Sequence, residues 1–414
     1  MSICSLRSRS LISTKTVEVV VKPPIVRMQP QRHKRVMNGH PWVYSNEIVM
    51  DSAAKAIVPG TIVEFRAHDQ RYLGTGSFNS HSLIAGRIFT REIGKSIDGA
   101  WLYARLEEAL SFRQKIIADP YYRLVHAEAD QLPGLIVDRF GSHLCVQLNT
   151  AGMNQLWPHL EEALVRLLQP QVIILRNDSS SRALEGLERE VKVAYGSLSG
   201  LSEVRENNLT YFADLASGQK TGWYFDQRDN HALVARFCHD AAVLDLYCHA
   251  GGFGLLAARA GAKSVVGVDS SEAALALAQK AALHNKLGGL CRFERADIFE
   301  DLERRMTGNE KFDVVIADPP AFVKSRKDAA AGARGYRKLT RLCAQVISPG
   351  GMLFIASCSY NMELSVFTEQ LALGLHEANR RGRILYTVFA APDHPTHPQL
   401  PESAYLKGLL VRID

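Results

Sequence analysis

The sequence predicts an α/β protein whose last domain is a doubly wound parallel sheet. The chain has 414 residues, which is more than one ordinary domain and indicates two or three. Short β-type runs broken by glycine dominate the first hundred residues, whereas strand-like and helical patterns alternate from about residue 209 onward. We therefore predict a β-rich domain over 24–96, a small α+β domain over 97–200 and the sheet domain over 201–414.

The N-terminal domain is predicted from three short apolar runs. They cover 61–65, 72–74 and 83–85, and glycines punctuate them. A basic and aromatic stretch precedes them, with no acidic residue between Arg27 and Tyr44. Interleaved basic and aromatic side chains suit phosphate contact and base stacking, although a solvated charged face is the alternative. The candidate RNA contacts in this stretch are Arg32, Lys34, Arg35 and Trp42.

The central domain is predicted from strands that flank an amphipathic helix. One helix is predicted over 102–118 and a second over 155–168, from apolar residues at helical spacing. The predicted strands cover 123–126, 135–139, 144–148 and 171–176. Strands on both sides of the second helix indicate an α+β unit.

The C-terminal domain is predicted from seven apolar strand-like runs. They cover 243–247, 264–269, 291–294, 312–317, 352–356, 384–389 and 406–411. Helical stretches separate the first six, which is typical of a doubly wound parallel sheet. Only a proline-rich loop joins the last two, so we expect an antiparallel hairpin at one edge of the sheet.

A glycine-rich stretch after the first of these strands indicates a binding turn. Asp245 is followed by Gly251, Gly252 and Gly254, and glycine lets the backbone approach a ligand closely. Asp269 ends the next strand, where a carboxylate can accept both hydroxyl hydrogens of a ribose. The pattern indicates an adenosine-type cofactor, and read literally it also matches the dinucleotide fingerprint. An ordinary tight strand–helix turn is the simpler alternative.

Two further acids follow the next two strands. Asp297 lies just past the third strand, where it could bond the exocyclic amine of adenine, and Asp318 opens an Asp-Pro-Pro sequence after the fourth. The prolines fix φ and remove two backbone donors, so this loop is stiff. Because parallel strands end at one edge of a sheet, we expect Asp269, Asp297 and Asp318 on the ligand-binding side.

Cys358, between two serines at the tip of the fifth strand, is the candidate nucleophile. A thiolate is a strong nucleophile when its pKa is lowered, although cysteine is also among the most buried residue types. Cys248, in the glycine-rich turn, is the second candidate. A second basic cluster follows Asp-Pro-Pro, beside the predicted active edge. The candidate RNA contacts there are Phe322, Lys324, Arg334 and Tyr336.

Composition argues against several classes of protein. The seven cysteines are scattered without a CxxC pair, which indicates reduced thiols in a cytoplasm. Histidines lack partners at metal-binding spacing, no GxSxG elbow supports a hydrolase, and no run is suited to span a membrane. The net charge of +6 permits a polyanionic partner without demanding one. The acid-free residues through Lys15 are expected to form a disordered tail, with a transit peptide as the alternative.

Taken together, these motifs resemble the RlmI family. Its members are S-adenosylmethionine-dependent 5-methylcytosine methyltransferases that act on large-subunit (23S) ribosomal RNA. Segment 33–45 is similar to the start of the family's RNA-binding PUA domain, and 122–141 to its central strand-strand-helix-strand-strand domain. Segment 220–229 resembles the entry to its Rossmann-like class I methyltransferase domain, and Asp-Pro-Pro-x-Phe, Arg-Gly-Tyr and Ser-Cys-Ser follow in order.

The resemblance implies S-adenosyl-L-methionine as cofactor and S-adenosyl-L-homocysteine as product. It implies that Cys358 attacks cytosine C6 and that Asp318 faces the cytosine. The base that removes the C5 proton is unassigned, because no second cysteine follows the Asp-Pro-Pro prolines. The implied cofactor contacts are Gln227, Arg228, Asp245, Tyr247, Gly251, Gly252, Asp269, Ser270, Asp297 and Asp318.

Three alternative functions stay open at this point. A guanine- or adenine-nitrogen methyltransferase of the same fold would need no thiol, and Phe322 would stack on its base. A nicotinamide oxidoreductase would bind NAD more tightly than S-adenosylhomocysteine. A non-catalytic RNA-binding protein would show RNA affinity with a steep salt dependence but no methyl transfer. The oligomeric state is also open, with a homodimer as one option.

Overall fold

Three sheets of five, five and seven strands and one two-stranded hairpin organise the protein. The computed structural model describes residues 22–218, 221–323 and 325–414. The predicted N-terminal tail and Lys324 lie outside the described residues. No helix within the described ranges has the length and apolar character needed to cross a membrane.

The first sheet is a small antiparallel unit with one parallel edge pair. Its strand order is β1-β3-β4-β5-β2, and β1 pairs in parallel with β3. Its elements are β1 (Ile25–Arg27), α1 (Lys34–Met37), β2 (Trp42–Val43), α2 (Ser52–Ala56), β3 (Thr61–Arg66), β4 (Tyr72–Phe78) and β5 (Gly86–Thr90).

The predicted strand over 83–85 is wrong. The chain turns between β4 and β5, where Ser82 N donates to Asn79 O at 3.2 Å and Asn79 N donates to Ala85 O at 2.8 Å. Leu83 lies on this turn and is 72% exposed. An apolar run of three residues has no periodicity that distinguishes a strand from a connection, so the pairing of Gly86 decides where β5 begins.

The second sheet has the strand order β10-β9-β8-β7-β6, and a short hairpin follows it. β8 and β9 are parallel, and the other neighbouring pairs are antiparallel. The elements are α3 (Gly99–Ile116), β6 (Tyr121–His126), β7 (Leu135–Phe140), β8 (His143–Leu148), α4 (Ala151–Gln155), α5 (Trp157–Leu168), β9 (Val172–Asn177), β10 (Glu190–Gly196), β11 (Ser202–Glu206) and β12 (Leu209–Ala213).

The third sheet has the order β15-β14-β13-β16-β17-β19-β18. Strands β13 to β17 are parallel, whereas β19 is antiparallel to both β17 and β18, as the missing helix predicted. The elements are α6 (Arg228–Ala235), β13 (Ala242–Leu246), α7 (Gly252–Arg259), β14 (Ser264–Asp269), α8 (Glu272–His284), β15 (Cys291–Arg295), α9 (Ile298–Thr307), β16 (Phe312–Ala317), α10 (Ala329–Val346), β17 (Ile347–Ser357), α11 (Leu364–Glu377), β18 (Gly382–Phe389) and β19 (Lys407–Ile413).

Apolar clusters cover both faces of this sheet. Val243 of β13 belongs to the same apolar cluster as Phe253 of α7, and its neighbour Leu244 belongs to a second cluster together with Leu339 of α10. Successive strand residues point to opposite faces, so helices on both sides bury most positions of the central strands. The predicted α/β class is confirmed.

Buried and half-buried hydrogen bonds join the three large sheets. Trp42 Nε1 donates to Glu128 Oε1 at 2.7 Å, and Arg123 N donates to Asp393 Oδ2 at 2.9 Å. The sheets themselves lie within 25–90, 121–196 and 242–413. The domain boundaries near 96 and 200 stay a prediction.

Candidate active site

Neighbouring parallel strands carry the candidate residues to one edge of the seven-stranded sheet. β14 pairs with β13, β13 with β16, and β16 with β17. Asp269 is the last residue of β14, Asp318 follows β16, and Cys358 follows β17. Open α/β sheets bind their ligands at this carboxyl edge.

The turn between β13 and α7 needs glycine at two positions. Gly251 has a φ of +85°, in the left-handed region that glycine adopts without cost. A Cβ on Gly252 would lie 2.6 Å from a ring carbon of His231, so a side chain does not fit there. Tyr247 and His249 also have positive φ, at +60° and +47°, which bends the chain tightly around the strand end.

Asp245 supports this turn from inside the protein. The residue is 1% exposed, and its Oδ2 accepts a hydrogen bond from Gly254 N at 2.8 Å. Burial raises the pKa of Asp245 to about 8, so the carboxyl is mostly protonated at neutral pH. The structure therefore places Asp245 beneath the turn and not on the surface of the cavity that the turn borders.

A cavity of about 460 Å³ opens at this sheet edge, within the usual size range of small-molecule sites. Strand ends, the segment before α6 and the start of β19 all contribute to its wall. Its lining residues are Tyr224, Asp226, Gln227, Tyr247, His249, Asp269, Ser270, Asp318, Pro319, Pro320, Ala321, Cys358, Tyr405 and Leu406. Six of the predicted site residues therefore meet in one cavity.

The end of the cavity beside β14 fits an adenosine cofactor. Asp269 Oδ2 accepts a hydrogen bond from His249 N at 2.9 Å, and its Oδ1 accepts one from Ser271 N at 2.8 Å. These backbone donors hold a carboxylate at the end of the second strand, next to Ser270 and Tyr247. A carboxylate at this position is the group that binds ribose hydroxyls in doubly wound folds.

The other end of the cavity combines a thiol and a carboxyl group. Cys358 is half-buried, and its Sγ lies 3.9 Å from Pro319 O. Gln227 Nε2 donates to Asp318 Oδ2 at 2.9 Å, and Gln227 Oε1 accepts from Asn230 Nδ2 at 2.6 Å. The Gln227 amide therefore orients the Asp318 carboxyl. One cavity therefore holds a thiol, which is able to act as a nucleophile, and a carboxyl group, which is able to exchange a proton.

A buried hydroxyl network supports the strand end that carries Cys358. Ser357 Oγ donates to Tyr336 OH at 2.8 Å, and Tyr336 OH lies 3.0 Å from Ser359 Oγ. Ser359 Oγ also accepts from Val323 N at 3.1 Å. The residues on both sides of the thiol are thus tied to α10 and to the Asp-Pro-Pro loop.

Lys407, at the start of β19, extends the support of this strand end. Its Nζ donates to Ser359 O at 2.8 Å and to Met362 O at 2.7 Å, and the residue is 5% exposed. Burial lowers the pKa of Lys407, and the neighbouring Cys358 and Glu363 act against this. The sequence analysis did not single out this lysine.

The prediction that Tyr336 contacts RNA is wrong. The residue is fully buried, because α10 directs it into the apolar cluster under the sheet together with Ala333 and Leu339. These positions repeat at helical spacing on the inner face. Arg334 is exposed on the same helix, and the half-buried Phe322 ring lies 4.7 Å from the Tyr336 ring.

The N-terminal basic stretch divides into exposed and internal residues. Arg32 and Lys34 are exposed. Arg35 Nη2 forms an ion pair with Glu47 Oε2 at 2.8 Å, and its Nη1 contacts the His40 ring. Trp42 is half-buried, and its indole N–H donates to Glu128, which lies between β6 and β7. Arg35 and Trp42 therefore form polar contacts with Glu47 and Glu128 of the same chain.

Three other residues from the sequence analysis do not line the cavity. The Arg228 guanidinium hydrogen-bonds Tyr121 O of the central sheet. Asp297 caps α9, since its Oδ1 accepts from the backbone N–H groups of residues 299 and 300. Cys248 is 5% exposed, and burial raises its pKa far above the usual thiol value. Neither Arg228 nor Asp297 is among the residues that line the cavity, and their contact with the cofactor stays a prediction.

Several cavity residues were missed by the sequence analysis. Asp226 and Tyr224 belong to the segment that leads into α6, and His249 belongs to the glycine-rich turn. Both segments were recognised from the sequence, so these residues could have been predicted from the site residues beside them. Tyr405 and Leu406 precede the last strand, and no pattern connects them with the site. Within the described parts of the chain, no group of three His, Cys, Asp or Glu side chains could hold a metal ion.

Family comparisons identify two regions of the chain. A model of a PUA-like domain matches residues 26–91. A model of an S-adenosylmethionine-dependent methyltransferase matches residues 152–412, which is more than half of the chain. The cofactor is therefore S-adenosylmethionine, and the nicotinamide alternative is not supported.

Individual relatives extend over nearly the whole length. A protein of Tolumonas auensis named ribosomal RNA large subunit methyltransferase I is 36% identical over 394 residues, which are 94% of this chain and 98% of that protein. A protein of the same name from Shewanella frigidimarina is 34% identical over 393 residues, covering 94% and 99%. The crystal structure of SMU.776 complexed with S-adenosylhomocysteine has the same fold, with a TM-score of 0.80 at 19% identity, covering 95% of this chain and 100% of that one. This chain therefore belongs to the S-adenosylmethionine-dependent methyltransferases and, among them, to the family of the ribosomal RNA large subunit methyltransferases I.

Proposed function

We propose that this enzyme methylates C5 of a specific cytosine in 23S ribosomal RNA, with Cys358 as the nucleophile. The observation that carries the proposal is the shared cavity, in which Cys358 and Asp318 lie together and Asp269 lies at the cofactor end. The name of the relatives supports large-subunit RNA as the substrate. The Ser-Cys-Ser sequence supports the choice of cytosine C5.

The chemistry follows from the weak nucleophilicity of cytosine C5. The Cys358 thiolate adds to C6 while the Asp318 carboxyl, oriented by Gln227, gives a proton to N3. C5 of the resulting enamine is then nucleophilic. S-adenosylmethionine supplies an electrophilic methyl group. The aromatic ring is restored when C5 loses its proton, Cys358 leaves C6 and N3 returns its proton to Asp318.

The RNA is proposed to reach this cavity across surfaces that present exposed basic side chains. Arg32 and Lys34 lie on the PUA-like region, and Arg334 lies on α10 beside the Asp-Pro-Pro loop. These cations would contact phosphates, which position a nucleic acid without reading its sequence. A cytoplasmic location and a homodimer stay predictions.

The proposed reaction is tested with unmodified 23S RNA and methyl-labelled S-adenosylmethionine, followed by digestion to nucleosides. We expect the label in 5-methylcytidine and its loss in Cys358→Ala. Cys248→Ala is the matched control, because this thiol is buried beside the same site and should be dispensable. Label in a guanine or adenine, or full activity of Cys358→Ala, would contradict the proposal.

A further inference from the structure

The proposed reaction leaves one proton without an acceptor. After methyl transfer, C5 is tetrahedral and carries the new methyl group on one face and its original hydrogen on the other. The base must therefore lie away from the methyl donor, on the side of the ring where Cys358 is bound. In the sheet, Cys358 follows β17, which neighbours β19, whereas Asp269 ends β14, beyond β16 and β13.

Asp226 is the candidate for this base. The residue is 7% exposed and lines the cavity. Its Oδ2 accepts a hydrogen bond from Tyr405 OH at 2.5 Å. Its Oδ1 is buried and has no hydrogen-bond partner among the described residues. A buried carboxylate oxygen without a protein partner costs free energy, so this oxygen is left to a ligand or water in the cavity.

Asp226 contacts the segments that flank β18 and β19, on the side of the sheet where β17 leads to Cys358. Tyr405 lies two residues before β19, whose first residue pairs with Ser357 of β17. The backbone carbonyl of Asp226 accepts from Ala391 N at 2.9 Å, just after β18. The next residue along the chain is Gln227, which orients Asp318. Asp226 is thus anchored from both sides at the end of the cavity that holds Cys358.

Tyr405 orients the carboxylate of Asp226 through its hydrogen bond. Burial raises the pKa of Tyr405 well above its usual value, and the charge of Asp226 adds to this, so the phenol stays protonated. The hydroxyl can then only donate to Asp226 Oδ2. This hydrogen bond fixes the rotamer of the carboxylate and leaves Oδ1 as the acceptor.

We infer that Asp226 is the general base that removes the C5 proton and that Tyr405 is its positioning residue. In this step Asp226 Oδ1 takes the proton, the C5–H electron pair forms the C5–C6 double bond, and the C6–S bond breaks to return the Cys358 thiolate. Asp226 later releases the proton to water. The inference rests on the proposed function.

The test uses the full-length enzyme and 23S RNA labelled with tritium at cytosine C5. Asp226→Asn keeps an oxygen acceptor for Tyr405 but cannot take a proton. We expect methyl transfer in the first turnover within a few-fold of wild type, but tritium release and steady-state turnover reduced by about 10² or more. The methylated RNA should accumulate as a Cys358 adduct that migrates slowly in denaturing gels, and Asp226→Asn combined with Cys358→Ala should abolish it. Tyr405→Phe should give the same defect in weaker form.

The matched control is Asp229→Asn, which changes an exposed carboxylate three residues along the same segment and should behave as wild type. Tritium release by Asp226→Asn at the wild-type rate would overturn the inference. So would a loss of methyl transfer itself in a variant that still binds S-adenosylhomocysteine with wild-type affinity and keeps its melting temperature. If wild type places no label in 5-methylcytidine, the proposed function fails, and the inference about Asp226 fails with it.

Discussion

Replacement of Tyr336 by phenylalanine separates an RNA-binding role from a structural one. Tyr336 is fully buried, and its hydroxyl contacts Ser357 and Ser359, both also fully buried. The ring of phenylalanine fills the same space, so no cavity forms. The variant removes only the hydroxyl and leaves two serine hydroxyls with one partner fewer.

The expected cost follows from these contacts. A buried polar group that loses its partner costs about 1–3 kcal/mol. For a domain of roughly 150–250 residues, each kcal/mol lowers the melting temperature by about 2–4 °C. We therefore expect Tyr336→Phe to melt several degrees below wild type. Its affinity for 23S RNA at a fixed salt concentration should be unchanged, because no atom of Tyr336 is accessible.

Differential scanning calorimetry and filter binding measure these two quantities on the same protein preparation. Tyr386→Phe is the control, because Tyr386 lies on β18 of the same sheet and is 38% exposed. It should match wild type in melting temperature. A Tyr336→Phe variant that melts like wild type but binds RNA several-fold more weakly would refute the structural role.

Two further predictions concern charge. Asp245→Asn keeps an acceptor for Gly254 N but no longer titrates. The pKa of Asp245 in the folded protein is about 8, above its ordinary value of 3.8. As the pH rises from about 4 to 8, the free energy of unfolding of the wild type therefore falls, by on the order of 5 kcal/mol in total. Between pH 5 and pH 9, the melting temperature of Asp245→Asn relative to that of wild type should rise with pH. The same pH dependence of melting temperature in both proteins would contradict the burial argument. Lys34→Ala should weaken RNA binding and reduce its salt dependence by about one phosphate contact, at an unchanged melting temperature. Arg35→Ala should instead lower the melting temperature, because Arg35 loses its ion pair with Glu47. Salt titrations of RNA binding and calorimetry measure both effects, and the reverse pattern would identify Arg35 as the phosphate contact.

Strand patterns predicted the catalytic sheet well. The bounds of β14 and β16 agree with the predicted strands at 264–269 and 312–317. Central parallel strands are buried on both faces, so they contain apolar runs such as 265–268 and 314–317, and a polar residue follows each of these two runs. That same residue lies at the ligand-binding edge. The sequence alone therefore assigns Asp269, Asp318 and Cys358 to one site.

Contacts between distant segments could not be predicted in this way. Asp226 and Tyr405 are 179 residues apart, and no local pattern connects them. The short β1 and β2 strands were also missed, because two or three residues show no periodicity.

The sequence by itself determined the fold class and the order along the chain of the seven strands in the C-terminal sheet, since burial requires apolar residues in these strands. Only the tertiary structure decided which side chains face the cavity. Tyr336 and Arg334 are two residues apart on α10, yet packing against the sheet buries one and exposes the other. Arg35 and Lys34 are adjacent, yet Glu47 and His40 engage only the first. Side-chain direction depends on which partner packs against an element, and that partner comes from elsewhere in the chain.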